Sequence, residues 1–451
     1  MNLVPKRFLS GAVVLAVVVG ACSSTAATPS PAPTSVPTTV VSATPGGPTA
    51  TPGHTPVTIT WWHNANVGAG LVFWQGIANE YTLAHPWVTI QVTPMQNEDF
   101  KTKLPLAMNA GTAPDIFQSW GGGQLRQQVQ AGQAKDISAD MTGAWASTIN
   151  AGALSLYQVD GKQYGVPYDL GVVGIWYNKA LFTKAGIAAA PATWDDFMAD
   201  ITKLKAAGVA PISVGEKDAW TGAFWWEYLA LRECGKDKMD AAVKQNSFTD
   251  GCFLKAGEDL KALIDATPFQ AGFLGTPAQT GASSATGLLA NGKVAMELQG
   301  QWEPGVMAPL TPDGKGLGDN LGWFPIPTVT GGAGALTEFI GGGNGFALSP
   351  KAPAEAVDFL KFISSKDVMT RRGQLNDGIL PTTIGSETSV TDPNLKELIS
   401  QRTSATFVQL YLDQAFSQAV GQAINTAVQG EFAGASSPAD VQNAIQAATK
   451  S

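Results

Sequence analysis

Thirteen tryptophans against seven tyrosines is the compositional bias that carries the most chemistry in this chain. An indole offers a flat, rigid, apolar face and one N–H donor, which suits stacking against the face of another ring. Three of the tryptophans sit where the chain leaves a regular element. Trp120 follows the short apolar run Pro114 to Phe117 and precedes Gly121-Gly122-Gly123. Trp302 follows a run with Val294, Met296 and Leu298 on one face. Trp220 falls in a stretch read as a loop after Glu216-Lys217-Asp218. Strand ends of open α/β sheets line ligand crevices, so each is a candidate stacking face, with packing in a core as the alternative. Trp225 and Trp226 sit in a predicted helix with Tyr228 and Leu229, where at least one must be core. Trp74, Trp145, Trp176, Trp194 and Trp323 read as packing.

Other chemistries find less support. Three His and three Cys, without H-E-x-x-H or C-x-x-C, give no basis for a metal site. The chain lacks a G-x-x-x-x-G-K-[ST] phosphate loop, and no cofactor is expected. A net charge of −8 without a basic cluster argues against nucleic acid as a partner. A hydrolase acting on glycosidic bonds would need two carboxylates roughly 5–10 Å apart. Glu216/Asp218, Glu227/Glu233 and Glu297/Glu303 are the pairs available on paper, and the first two have spacings that a single loop or helix explains.

The elements that position these residues begin after an address segment. Lys6 and Arg7 precede an apolar stretch from Phe8 to Val19 that ends in Val19-Gly20-Ala21-Cys22, the layout of a secretory signal. Small residues before a Cys resemble a bacterial lipoprotein signal, which would make residues 1–22 a signal peptide and Cys22 the lipidated N-terminus. An ordinary cleaved signal is the alternative. From 23 to 56 half the residues are Pro or Thr and none is charged. Such a segment cannot bury enough apolar surface to offset its ordering entropy and is expected to be an extended, disordered tether.

Beyond it, Val57, Ile59 and Trp61, and then Val88, Ile90 and Val92, alternate as strands. Phe73/Trp74, Ile77/Ala78 and Tyr81 recur between them at helical spacing, stopped by Pro86. That is a β-α-β unit with a parallel strand pair. A second series starts with an apolar run from Val172 to Tyr177, read as one strand. It continues with a helix capped by Thr193 and a strand from Pro211 to Val214. Two α/β series argue for two α/β lobes. Cys234 and Cys252 remain once Cys22 is committed to lipid. In an exported chain an even remainder suggests a disulfide, with two buried thiols as the alternative.

Tyr164-Gly165-Val166-Pro167-Tyr168-Asp169 and Ile175-Trp176-Tyr177-Asn178-Lys179 resemble the lobe-crossing segment of extracellular solute-binding proteins of family 1, the sugar-binding subunits of ABC importers. Gly111-Thr112-Ala113-Pro114-Asp115-Ile116, Ala295 to Trp302, and Gly341 to Phe346 follow in the family's order, so the resemblance spans 57–451. The stretch from Val214 to Trp226 carries a finer resemblance, to xylo- and cello-oligosaccharide binders ahead of the maltose type. The resemblance implies a two-lobed periplasmic-binding-protein-like α/β fold of type II, the maltose-binding type, with ligand in the cleft between lobes. It implies a first lobe of 57–168 plus 332–382 and a second of 169–331 plus 383–451. It also implies a non-catalytic, monomeric receptor at the extracellular face of the cytoplasmic membrane. Its partners would be an oligosaccharide and importer permease subunits, with membrane contact through the N-terminal lipid only. A secreted glycoside hydrolase, or an anchored sugar sensor or adhesin without transport, are the alternatives.

A pyranose presents apolar C–H faces and rim hydroxyls, so a site needs aromatic faces and planar polar groups. Trp120, Trp220, Trp225 and Trp302 are the aromatic candidates, and Trp302 matches a stacking position of the family. Gly122 lets the backbone approach closely. Asn64, Asn97, Asp169, Lys217, Gln301 and Asn344 are the polar candidates, each also readable as a turn or capping residue. Tyr411, with Asp413, could close the cleft from the last helices, and His63 is a weaker hydrogen-bonding candidate.

Overall fold

Residues 53–450 are described by a computed structural model. The expected signal segment, Cys22 and the tether as far as Pro52 lie outside the described residues. In the strand Val57–His63, the side chains of Ile59, Trp61 and His63 are buried and their neighbours less so. The strand pairs in parallel with Val88–Pro94, Val57 opposite Val88, as the β-α-β reading requires. The helix between them, Gly68–Ala84, buries Trp74, Ile77, Ala78 and Tyr81. Those spacings lay one face on the sheet, and the helix stops short of Pro86, whose ring disfavours helix in the residue before it.

Ile116–Ser119 joins the other edge of Val57–His63 in parallel. Gly345–Leu348 and Gly165–Pro167 then complete a five-stranded sheet in antiparallel sense. One face of this first-lobe sheet packs Trp61, Trp74, Phe346 and Phe359; the other packs Phe100, Leu104, Phe117 and Tyr157.

The second lobe is built on a four-stranded sheet ordered Leu321–Phe324, Gly174–Asn178, Val294–Gln299 and Ala210–Ser213. Thr193 caps the helix Trp194–Ala206 through a capping box closed by Asp196. The helix Trp220–Gln245 is buried along its first four turns and breaks at Gly235, whose φ of 71° is open to glycine at little cost. A disulfide between Cys234 and Cys252, with Cα atoms 5.2 Å apart, ties this helix to Gly251–Asp265. The pairing read from cysteine count is therefore present.

Two expectations change. The run Val172–Tyr177 is not one strand. Gly171–Val172 pairs with Gly342 and Gly341, whereas Gly174–Asn178 pairs with Val294–Gln299. Between them Val173 sends its N–H to Ile340 O at 3.0 Å, so the chain changes sheets at that residue. The segment 332–382 is likewise not all first lobe. Glu338–Gly342 is the middle strand of a three-stranded sheet with Phe407–Leu410 and Gly171–Val172. Its Phe339 and Ile340 pack with the second-lobe core, while Phe346, Val357 and Phe359 pack with the first. Passage between lobes thus occurs at 168–174 and at 342–345.

Candidate functional site

A cavity of about 320 Å³ lies between the lobes. From the first lobe it is lined by Asn64, Asn97, Lys101, Trp120, Tyr168 and Asn344; from the second, by Trp220, Phe224, Trp302 and Tyr411. Both sides are strand ends or helix starts, the positions from which an open α/β sheet presents side chains to a cleft.

Trp302 stands three residues past the strand Val294–Gln299. Its indole lies over Gly300, where an added Cβ would come within 2.3 Å of the ring, and its Nε1 donates to Gln299 Oε1 at 3.1 Å. Trp220 opens the long helix rather than lying in a loop, because Ala219 turns left-handed (φ 61°) immediately before it. One helical turn later Phe224 stacks on Tyr411, with centroids 4.8 Å apart. Trp302 meets Trp220 at 6.3 Å and Tyr411 at 6.2 Å, both edge-to-face. The second lobe therefore presents aromatic faces at several angles. Tyr411 is buried, and its hydroxyl has no partner within the protein. On the opposite wall Trp120 is braced edge-to-face by Phe100 at 5.8 Å.

The polar groups are mostly amides. Asn64 Nδ2 donates to Asn97 Oδ1 (3.1 Å), and Asn97 Nδ2 to Glu98 Oε1 (2.6 Å). Asn344 is held from both ends: Gln118 Nε2 donates to its Oδ1 (2.8 Å), and its Nδ2 donates to Asp169 Oδ2 (2.8 Å). Lys101, a cation at the cavity wall, lies 3.6 Å from Glu98, with Asp218 and Asp413 close enough to feel its charge. Burial holds the carboxyls of Asp218 and Asp413 above their ordinary range. Asp377, also on the wall, is engaged by Arg372 Nη1 at 2.5 Å.

Of the residues singled out from sequence, Asn64, Asn97, Trp120, Trp220, Trp302, Asn344, Tyr411 and Asp413 converge on this cavity. Others do not. Trp225 is 1% exposed and packs among Phe197 and Phe269; on a helix buried along its first turns, only the turn at Trp220 and Phe224 meets the cleft. Lys217 is exposed and does not line the cavity. Gly122 permits close approach of protein, not ligand: an added Cβ would come within 2.6 Å of Gln414 O. Asp169 and Gln301 are fully buried behind the wall, where Asp169 accepts from Gln301 Nε2, Asn344 Nδ2 and Leu380 N, each at 2.8 Å. Burial outweighs those donors and raises the Asp169 carboxyl to about 6. His63 is also buried off the cavity, with neither ring nitrogen paired, and burial lowers its pKa to about 3.

Lys101 and Phe224 are wall residues the sequence reading missed. Each lies four residues after a candidate it had named, Asn97 and Trp220, which is one turn on the same helix face; the signal was there once both were placed at helix starts.

The carboxylate pairs considered for hydrolysis do not flank this cavity. Glu297 and Glu303 are buried together around Thr286 Oγ1, at 3.4 and 3.1 Å. Glu216 and Glu227 are buried, and Glu233 pairs with Lys255 at 3.1 Å. Among the described residues, no group of His, Cys, Asp and Glu could hold a metal ion, and no helix is long and apolar enough to cross a membrane.

Residues 64–370 match the model of a bacterial extracellular solute-binding protein. The chain is 26% identical over 394 residues to an uncharacterized ABC transporter extracellular-binding protein of Pyrococcus horikoshii, covering 83% of this chain and 82% of that one. It is 28% identical to the sn-glycerol-3-phosphate-binding periplasmic protein of Agrobacterium fabrum, over 73% and 74% of the two chains. A solved structure from work on xylan utilization by Caldanaerobius polysaccharolyticus superposes with a TM-score of 0.80 at 26% identity, covering 87% of this chain and 99% of that one. With the family model matching well over half of its length and two α/β lobes enclosing a lined cleft, this chain belongs to the bacterial extracellular solute-binding protein family.

Proposed function

We propose that the protein is the substrate-binding lipoprotein of an ABC importer and captures a neutral oligosaccharide, of the xylo- or cello-type, in a cleft that closes on it. The observation that carries this reading is the pairing of aromatic faces (Trp120, Trp220, Trp302, Tyr411) with uncharged amides (Asn64, Asn97, Asn344) around one cavity. Aromatic faces match the C–H faces of pyranoses, and amides both donate and accept to ring hydroxyls. A phosphate ester is disfavoured, because Lys101 is already matched by Glu98 and Arg372 by Asp377. An unpaired anion would be desolvated there without compensation. A ligand touching both walls favours the closed arrangement by its extra contacts in that state. Anchoring through lipid on Cys22, with residues 23–56 as the tether, would keep the receptor beside its permease.

Calorimetric titration with xylo-, cello-, malto- and gluco-oligosaccharides and sn-glycerol 3-phosphate tests the reading. Saturable binding of a neutral saccharide in the micromolar range or tighter, about −8 kcal/mol, without cleavage of the titrant, supports it. Preference for the phosphate ester, or release of shortened sugars, overturns it. Incorporation of labelled palmitate into the wild type but not into Cys22→Ala tests the anchor.

A further inference from the structure

The cleft does not end at the cavity just described. Beyond Lys101 opens a second hollow of about 530 Å³, and Lys101, Trp120, Trp220 and Asp413 line both. The partition is thin. Lys101 Nζ lies 6.0 Å from the Trp120 ring centroid and 5.4 Å from that of Trp220. Trp220 is steadied from the other lobe by its Nε1–H bond to Glu98 Oε1 at 3.2 Å. A lysine side chain on four rotatable bonds is the most movable member of this wall.

The second hollow runs between the first-lobe helices Asn97–Asn109 and Gly122–Gln130 and the second-lobe helix Gln418–Phe432. Its floor is apolar, with Phe100, Leu104 and Met108. Its walls are amides, among them Gln127, Gln128, Gln422 and Asn425. Lys101 is the only cation among the described residues that line it, against Glu98, Asp218 and Asp413. Two amide oxygens, Asn425 Oδ1 and Gln128 Oε1, are buried there without a hydrogen-bond partner, and Asn425 as a whole is 5% exposed. A buried carbonyl lacking a donor is costly in a folded protein, so rotation of either side chain toward an entering hydroxyl would relieve that cost.

We propose that this hollow is a second binding compartment that receives the further residues of a neutral glycan whose first residues occupy the aromatic cavity, the chain passing Lys101. This rests on the saccharide reading above and deepens it: the ligand is an oligosaccharide too long for the aromatic cavity alone. Continuity argues for one occupant, since four residues serve both spaces. Amides over an apolar floor suit hydroxyls and C–H faces, and the excess of carboxylates over cations excludes an anionic chain.

The test is chain-length dependence. The xylo-oligosaccharide series from two to six residues is titrated into the wild type, Asn425→Ala and Gln422→Trp, the last placing bulk at an exposed wall position. If xylose chains do not bind, the cello and then the malto series replace them. Wild-type affinity is expected to rise tenfold or more between the shortest and longest chains. Gln422→Trp should cost the longest chain at least tenfold more than the shortest, and Asn425→Ala at least threefold more. Circular dichroism and thermal midpoints confirm that the variants fold. Affinity that is flat with chain length, or a length gain equal in all three proteins, overturns the compartment while leaving a saccharide receptor. Absence of binding to all three series overturns the saccharide reading and this extension with it.

Discussion

Trp302 and Gln299 are joined by a 3.1 Å hydrogen bond from the indole Nε1 to the amide Oε1, and Gln299 Nε2 donates in turn to Glu297 Oε1 at 3.3 Å. The ring is therefore held at its polar edge while its face remains at the cavity. Trp302→Ala is expected to weaken binding of the best saccharide by at least ~1 kcal/mol, about fivefold, with the thermal midpoint little changed because the residue is only partly buried. Gln299→Leu keeps the ring and frees its edge, so it should give a smaller loss. Titration and thermal unfolding of the two variants check this; a large drop in stability without loss of affinity would assign Trp302 to packing.

Trp220 and Trp225 share one helix and should fail in opposite ways. Trp225 is 1% exposed and surrounded by second-lobe core, so Trp225→Ala is expected to cost ~3–5 kcal/mol of stability. Trp220 lines the cavity and bonds across the cleft to Glu98. Trp220→Ala should lower affinity at least fivefold and stability less. Urea unfolding beside calorimetry separates the two.

Much of this was legible from the sequence, for a physical reason. The first β-α-β unit and the Thr193 cap are local patterns of alternation, helical spacing and turn chemistry, and local patterns survive folding. Trp120, Trp302 and Asn344 could be named because strand ends are where a cleft must be. What could not be read depended on distant partners. Val172–Tyr177 is a uniform apolar run, and only its two different partner strands divide it. Trp225 and Trp220 have the same chemistry, and the helix rotation that separates them is fixed by how it packs on the sheet. Asp169 and Gln301 were chosen as ligand contacts, yet they are bonded to each other and sit behind the wall, a pairing 132 residues apart that no spacing rule reveals.

The Cys234–Cys252 disulfide closes a segment of 18 residues across the broken end of the long helix. Constraining a loop of that size in the unfolded chain stabilises the fold by roughly 3 kcal/mol. Reduction, or replacement of both cysteines by Ala, should lower the urea midpoint accordingly and leave saccharide affinity within about twofold, since neither residue lines the cavity. Alkylation without reductant should find neither thiol free.

Stability should be bell-shaped in pH, with each limb traceable. Burial raises the neighbouring carboxyls of Glu303 and Glu297 above their ordinary range, and Glu216 from 4.5 to about 8. A raised acid stabilises the fold fully below its unfolded pKa, and that contribution is lost as pH rises through the folded value. The alkaline limb therefore falls between about 5 and 8. His63 acts the other way. Its pKa is lowered from 6.5 to about 3 by burial, so its contribution is full above 6.5 and lost as pH falls toward 3. Glu303→Gln should make the alkaline limb shallower, with Glu216 and Asp169 still contributing to it, and His63→Phe should make the acid limb shallower. Thermal midpoints across the range from about pH 4 to 9 test both; parallel curves for wild type and variants would show that these groups do not set the limbs.

Asp169 should couple stability to affinity, because its carboxylate accepts from both lobes and from the returning chain at once. Removing it in Asp169→Ala leaves three buried donors, Gln301 Nε2, Asn344 Nδ2 and Leu380 N–H, without their acceptor. At ~1–3 kcal/mol for each unsatisfied buried group, the loss should reach several kcal/mol. Asn344 lines the cavity and would lose the bond that orients its amide, so affinity should fall as well. Asn344→Ala removes the cavity contact while leaving Asp169 with two of its donors, and it should reproduce the affinity loss with a smaller stability cost. Asp169→Asn is intermediate, since its amide can keep one carbonyl acceptor but must turn an NH₂ toward a donor. Urea unfolding and saccharide titration on the three variants give a definite ranking. Stability loss should be largest in Asp169→Ala, smaller in Asp169→Asn and smallest in Asn344→Ala, with a similar affinity loss in Asp169→Ala and Asn344→Ala. Full affinity in Asp169→Ala would show that the carboxylate holds the lobes together without orienting the site.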